Sequence, residues 1–251
     1  MIEQFSLPGS RRFLVIIPAW NEELSVGGVI ASVREAVPGA PVIVIDDCSE
    51  DATASVAAAA GATTIRLPCH LGLGGCVQTG YKFGFEHGFD YVIRIDADGQ
   101  HDPKDIPRIV EALEETGCEM VIGSRYLGPD GHFTSFLRRV GIVFLRLLLR
   151  GLLSASIRDP TSGFVGVNRR ALAVFERVFP LSYPEIEILA VLQRRRFRFH
   201  EIPTTMFRRQ AGRSSIAGWK HLHYLTCVVL GVFINVLKYD GPAPPPRQVR
   251  D

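Results

Sequence analysis

The stretch Tyr91-Val92-Ile93-Arg94-Ile95-Asp96-Ala97-Asp98-Gly99-Gln100-His101-Asp102 decides how the rest of the chain is read. An apolar run of strand character, Tyr91 to Asp96, ends in carboxylates spaced two residues apart. A short, continuously apolar strand belongs to a parallel sheet covered by helices on both faces. In such sheets ligands bind outside the carboxyl ends of the strands. Asp96, Asp98 and Gln100 would there present hard oxygens to a divalent ion of the kind that commonly holds phosphate groups. An EF-hand is excluded by register. Its sixth position would be His101 instead of glycine, and its twelfth Pro107 instead of glutamate.

Outward from this strand the first half alternates apolar runs with helical patterns, the mark of an α/β fold. Phe13 to Ile17 reads as a strand stopped by Pro18, and a helix follows Asn21-Glu22-Glu23 as far as Pro38. Val42 to Ile45 runs into a second acidic pair, Asp46-Asp47, after which Ser49, Glu50 and Asp51 offer caps for an alanine-rich helix through Ala60. Thr63 to Leu67 and Met120 to Ile122 are further strands. Helices are expected after Gly74-Gly75 and over Pro103 to Glu115. In the second half, Phe133 to Ile157 is a long helical pattern. A short strand then lies around Phe164 to Val167, helices start at Arg169 and after Pro184, and a β-like run covers Phe197 to Ile202. The expected organisation is one domain over 1–219, an apolar helix over 220–240 and a disordered proline-rich tail over 241–251.

With 251 residues, 47% hydrophobic and 22% charged, the chain is an ordinary globular one. Acidic residues gather early (Asp46, Asp47, Asp51, Asp96, Asp98, Asp102). Arginines gather late (Arg138, Arg139, Arg146, Arg150, Arg158, the run from Arg194 to Arg198, then Arg208, Arg209, Arg213). That asymmetry suits a metal site facing an anion site, or a basic face on an anionic membrane; the plainer reading is solvated helix faces. The arginines are not interleaved with exposed aromatics on one face, which argues against a nucleic-acid partner. Five widely spaced cysteines without a Cys-x-x-Cys pair argue against a disulfide framework and a zinc ribbon, and for a reducing compartment. Met1 to Arg12 has no apolar core ahead of its two arginines, so a place in the cytosol or on the cytosolic side of a membrane is expected. Leu222 to Leu237 spans 16 residues, about 24 Å as a helix against a hydrocarbon core of about 30 Å. It reads as a docked or membrane-surface helix.

The glycine-rich segment His70 to Gly80 fits neither common nucleotide motif. Val77 stands where a dinucleotide fingerprint needs its third glycine, and Tyr81 where a P-loop needs lysine. Close helix–strand packing is its plain reading.

Taken in order, Pro18-Ala19-Trp20-Asn21-Glu22, Asp46-Asp47-Cys48-Ser49-x-Asp51-x-Thr53, the glycine-rich segment, Asp96-Ala97-Asp98-Gly99-Gln100-His101 and Gly123-Ser124-Arg125-Tyr126 resemble a family 2 glycosyltransferase of the GT-A fold, in the dolichyl/polyprenyl-phosphate sugar transferase branch. The likeness continues through Arg158-Asp159-Pro160-Thr161-Ser162-Gly163-Phe164 and Tyr183-Pro184-Glu185-x-Glu187 to Arg209-x-x-Gly212-x-Ser214. The resemblance implies a Rossmann-like, mixed but mostly parallel sheet. It also implies metal-dependent, inverting transfer from a UDP- or GDP-linked sugar to a polyprenyl phosphate at the cytoplasmic membrane face. Pro18, Ala19, Asn21, Glu22 and Asp47 would then bind the nucleotide, and Asp96, Asp98 and Gln100 would hold Mg2+ or Mn2+ on the diphosphate. Arg209, grouped with Ser214, would close over the diphosphate, and Arg125 and Arg158 would receive the acceptor phosphate. Many mannose and glucose transferases of this branch carry Gly-x-Ser-Lys. This chain has Gly212-Arg213-Ser214-Ser215, which looks more like small bacterial members proposed to load N-acetylglucosamine or another sugar.

Chemistry runs parallel to the resemblance. A hydroxyl acceptor needs a general base, for which Glu185, Glu187 and Asp159 are candidates. A phosphate monoester, with its second pKa near ~6, is already anionic and needs a positive cradle instead. The arginine-studded helix around Phe136 to Leu153 suits a lipid surface, or else a core with snorkelling arginines. A small membrane protein could supply the anchor that the 16-residue segment lacks. Two other readings stand beside this one: transfer to a hydroxyl in cell-wall or polysaccharide synthesis, and a non-catalytic nucleotide-sugar-binding module.

Overall fold

The computed structural model describes residues 12–127, 143, 146, 147, 150, 157–180 and 184–207. The chain builds one seven-stranded sheet, order β3-β2-β1-β4-β6-β5-β7. Strands β1 (Phe13–Ala19), β2 (Val42–Asp46), β3 (Thr63–Arg66) and β4 (Tyr91–Arg94) are mutually parallel. Strand β6 (Val165–Asn168) inserts antiparallel between β4 and β5 (Met120–Ser124), and β7 (Phe199–Pro203) pairs parallel with β5. The mixed, mostly parallel α/β sheet is therefore as expected.

Alternation along each strand sends neighbouring side chains to opposite faces. Leu14, Ile16, Ile43, Ile45 and Val92 pack under α3 (Gly72–Glu86), α5 (Arg169–Phe175) and α6 (Pro184–Arg194). Phe13, Val15, Ile17, Val42, Val44 and Ile93 pack under α1 (Val26–Ala36), α2 (Thr53–Ala59) and α4 (Ile106–Thr116). All seven residues of β1 are buried because both faces are covered. The edge strand β3 departs from the continuously buried pattern: Thr63 and Arg66 are exposed, since only one neighbour pairs with it.

Pro18 does not end β1; it pairs in register with Ile45. Val15 N–H donates toward the β2 side, to Pro41 O, so two-residue alternation turns the Pro18 nitrogen toward the β4 side. There the last paired residues are Ile16 and Arg94, and the missing N–H breaks no ladder bond. The glycine-rich segment is helical from Gly72 and does pack closely. A Cβ on Gly80 would come within 2.8 Å of Ile16 Cδ1, and one on Gly84 would overlap Val92. The four described cysteines, Cys48, Cys69, Cys76 and Cys118, are free. Among the described residues no helix is long and apolar enough to cross a membrane.

The topology places a crevice. From β1 the chain steps through α1 to β2 and through α2 to β3, then returns through α3 to β4 on the other side of β1. The carboxyl ends of β1 and β4 thus flank the point where strand order reverses, where α/β sheets bind ligands. Because β6 is antiparallel, its lead-in arrives at this same edge, with Val165 opposite Arg94.

Candidate active site

A cavity of about 390 Å3 opens at that edge. Pro18, Ala19, Trp20 and Glu22 line it from β1 and the turn beyond, Asp47 from the end of β2, and His70, Gly72, Leu73 and Cys76 from the start of α3. Arg94, Asp96, Ala97 and Asp98 come from β4 and its continuation, Thr161 and Gly163 from the lead-in to β6, and Glu185 from the first turn of α6. Among the described residues the wall carries five carboxylates (Glu22, Asp47, Asp96, Asp98, Glu185) and one guanidinium, Arg94.

Asp47 is buried and satisfied locally. Leu71 N and Gly72 N donate to its carboxylate at 2.7 and 2.8 Å, and His70 Nδ1 lies 2.9 Å from Oδ2. A carboxylate at the start of α3 also meets the positive end of the helix dipole. His70 in turn packs against Trp20 with the rings tilted by 34° and centroids 4.4 Å apart, and Trp20 is half exposed at the rim. An exposed aromatic face beside a carboxylate provides one surface for stacking and one for hydrogen bonding a planar ligand. Cys76 is buried beneath, and burial, with Asp47 next, pushes its thiol up to about 12.

Asp98 accepts a hydrogen bond from Gln100 N at 3.1 Å, and Gly99 at φ 72° lets the chain turn there. The loop is pinned from behind: Phe207 N donates to Gln100 O at 2.7 Å and Asp102 N to Thr205 O at 3.4 Å. Arg94 Nη2 donates to Asp96 Oδ1 at 3.0 Å and to Glu185 Oε1 at 2.9 Å. His101 Nε2 lies 3.7 Å from Asp96 Oδ2, and a Cβ on Gly163 would overlap that oxygen. Burial favours the protonated form of Asp96, but Arg94 first and His101 next hold it far below the usual carboxylate range.

The donor set suits a hard divalent cation. Among the described residues no three His, Cys, Asp or Glu side chains converge to hold a metal. Mg2+ is usually bound through one or two carboxylates plus substrate phosphates and water, without an all-protein cage. Asp96 and Asp98 supply two such carboxylates on the cavity wall.

The structure brings Pro18, Ala19, Glu22, Asp47, Asp96, Asp98 and Glu185 together. Other expected site residues lie elsewhere. Asn21 faces away and holds the neighbouring turn: its N donates to Ser49 Oγ at 2.9 Å and its Oδ1 accepts from Glu50 N at 2.9 Å. Gln100 contributes backbone to the turn, and its side chain is not on the cavity wall. Glu187 is buried away from the cavity. Arg158 is exposed, with its N donating to Glu201 Oε2 at 2.7 Å, and does not line the cavity. Arg125 and Asp159 are sealed against each other. Arg125 Nε and Nη2 each donate to Asp159 at 2.6 Å, Arg125 N adds a third bond at 3.0 Å, and Nη2 also reaches Thr161 Oγ1. That arrangement engages Nε and Nη2 of Arg125 and both carboxylate oxygens of Asp159 within the fold. Arg209, Ser214, Tyr183, most of the 133–157 pattern, the apolar helix over 220–240 and the tail lie outside the described residues.

Arg94, Trp20, His70, Thr161 and Gly163 line the cavity without having been assigned a role from sequence. For Arg94 a signal existed: a lone charge in an apolar strand must find a buried partner.

Comparison with known proteins places the chain and its fold. The chain is 30% identical over 221 residues to the undecaprenyl-phosphate mannosyltransferase of Micrococcus luteus, covering 82% of this chain and 88% of the relative. It is 29% identical over 226 residues to the polyprenol monophosphomannose synthase of Mycolicibacterium smegmatis, covering 83% and 82%. The fold is shared with glucosyl-3-phosphoglycerate synthase from Mycobacterium tuberculosis, crystallised with Mn2+, UDP and phosphoglyceric acid. That match has a TM-score of 0.70 at 22% identity, over 93% of this chain and 81% of that one. Residues 14–175 match the model of glycosyl transferase family 2, and the chain belongs to that family.

Proposed function

We propose that this protein transfers a sugar from a nucleotide diphosphate sugar to a polyprenyl phosphate, working at the cytoplasmic face of a membrane. The observation that carries the reading is the charge of the cavity: among the described residues five carboxylates and one guanidinium, Arg94, line it, and Arg94 is already paired with two of them. A diphosphate entering alone would be repelled, so the pocket takes its anionic ligand only with a compensating cation. Asp96 and Asp98 are the residues that would hold Mg2+ or Mn2+ there, and the ion would neutralise charge developing on the leaving diphosphate. Trp20, His70 and Asp47 would receive the base, and Glu22 the ribose side of the pocket. The names of the M. luteus and M. smegmatis relatives support a polyprenyl acceptor. So does the exposed apolar surface of Val143 and Leu147 beside Arg146 and Arg150, one helical stripe of leucine–arginine character. Thr205 to Phe207 are bound to the loop over 100–102 beside the carboxylates of Asp96 and Asp98.

A second reading, transfer to a hydroxyl, is favoured by Glu185, which stands on the cavity wall where a general base would be needed. Incubation with UDP- and GDP-sugars, Mn2+ and either undecaprenyl phosphate or hydroxyl acceptors, with products identified by mass, tests both. A glycosyl phosphate lipid is expected. Product formed only on hydroxyl acceptors would replace the first reading with the second, and no consumption of any donor would overturn both.

A further inference from the structure

Strand β4 carries a single charge, Arg94, and at 3% exposure its guanidinium is out of water. A buried cation persists only when carboxylates satisfy it. One nitrogen, Nη2, serves two of them: Asp96 Oδ1 at 3.0 Å, from the continuation of β4, and Glu185 Oε1 at 2.9 Å, from α6. Nε adds a bond of 3.3 Å to the same Asp96 oxygen. The two acids, 89 positions apart in sequence, are therefore tied to each other through one atom. The other Asp96 oxygen sits against Gly163, where even a methyl group would not fit.

We infer that Arg94 is a positioning residue that acts as a resident counter-cation: it sets Asp96 and Glu185 on the cavity wall and keeps the acidic cluster from taking up a divalent ion until the nucleotide diphosphate arrives. This rests on the reading of Asp96 and Asp98 as the cation ligands. Without nucleotide, an incoming dication meets a guanidinium already bound to one of its two ligands, and like charges within several ångströms repel strongly where water is scarce. The diphosphate brings enough negative charge to offset both cations at once. Arg94 thus couples occupation of the cation site to occupation of the donor site, a coupling free energy between two ligands.

Mn2+ binding, followed by the electron paramagnetic resonance of the free ion with and without UDP or GDP, tests the inference on the whole protein. Wild type should bind Mn2+ weakly alone and tightly with nucleotide. Arg94→Gln and Arg94→Met, verified as folded by circular dichroism, should bind Mn2+ without nucleotide on the order of tenfold more tightly than wild type. Arg94→Lys, which keeps the charge, should bind as weakly as wild type. A merely structural role predicts loss in all three. Arg94→Gln keeps hydrogen-bonding groups, so it and Arg94→Lys decide the matter if Arg94→Met does not fold. Equal nucleotide-free binding by those two overturns the inference while leaving the cation site in place. Absence of Mn2+ uptake by wild type even with both nucleotides overturns the cation site, and the inference with it.

Discussion

Arg94 and Arg125 are both buried guanidiniums that meet aspartates, and the difference between them separates chemistry from architecture. Arg125 is matched: a single partner, Asp159, takes Nε, Nη2 and the backbone N, and Nη2 also reaches Thr161 Oγ1. Arg94 is outnumbered, with Asp96 and Glu185 on one nitrogen and Asp98 close by in sequence. Arg125 lies off the cavity and Arg94 lines it. A balanced pair has nothing further to offer a ligand, while an unbalanced cluster retains negative charge that a cation can use. Structure and function are thus distinguishable here by stoichiometry of charge more than by burial.

The comparison breaks most visibly through Asp98. Its replacement by Ala removes a carboxylate from the acidic cluster and, with it, the hydrogen bond from Gln100 N. Turnover is expected to fall about a thousandfold, with Tm lowered by only about 2–4 °C. Retained metal-dependent turnover in a product assay would remove Asp98 from the site. Arg125→Met should do the reverse. It strands a fully buried carboxylate, at a cost of about 3–5 kcal/mol, read as a fall on the order of 10 °C in Tm by calorimetry. The double variant Arg125→Met with Asp159→Leu should recover much of that loss. If Arg125→Met instead kept its Tm and lost turnover, Arg125 would belong with the reacting groups and the contrast would fail.

These two clusters also show what could be read from the chain and what could not. Asp96, Asp98 and Asp47 were legible because carboxylates following apolar runs must lie at strand ends, and β1, β2, β4 and β5 were legible because burial on both faces leaves uninterrupted apolar sequence. The direction of β6 was not legible, since alternation has the same period in parallel and antiparallel strands. Its antiparallel course is what delivers Thr161 and Gly163 to the cavity. Nor could sequence separate Arg125, which pairs with a residue 34 positions away, from a free phosphate-binding arginine. Motif membership says that a residue matters and leaves open whether it matters to fold or to substrate. The Pro18 stop failed for a related reason: proline is incompatible with a ladder bond only on the side where a neighbour is paired.

Glu185 and Glu187 give a smaller and sharper test. They are two residues apart on α6, so they point in different directions; Glu185 faces the cavity and Glu187 is buried away from it. With a phosphate acceptor no base is needed, and Glu185→Gln should lower turnover by about tenfold through the loosened Arg94 contact. With a hydroxyl acceptor the loss should be nearer 10²–10⁴-fold. Glu187→Gln should change turnover by less than about threefold in either case. An equal loss in both variants would mean that α6 acts as a unit and that the cavity assignment of Glu185 carries no special weight.

The least effect is expected from acid, and it isolates the matched pair. Burial would raise the pKa of Asp159, but the hydrogen bonds and charge of Arg125 outweigh it and hold the folded value below the ordinary 3.8. Between those two values the unfolded chain binds a proton that the native protein does not, so stability rises with pH in that window. The contribution is complete above the unfolded value and lost as pH falls through the folded one, with a slope of at most about 1.4 kcal/mol per pH unit for one proton. Denaturant midpoints measured from pH 5 down to 2.5 should therefore fall less steeply for the Arg125→Met, Asp159→Leu double variant than for wild type. Above pH 5 the two profiles should run parallel. Parallel profiles throughout the acid range would mean that Asp159 keeps an ordinary pKa, and that the pair is less tightly matched than its three bonds imply.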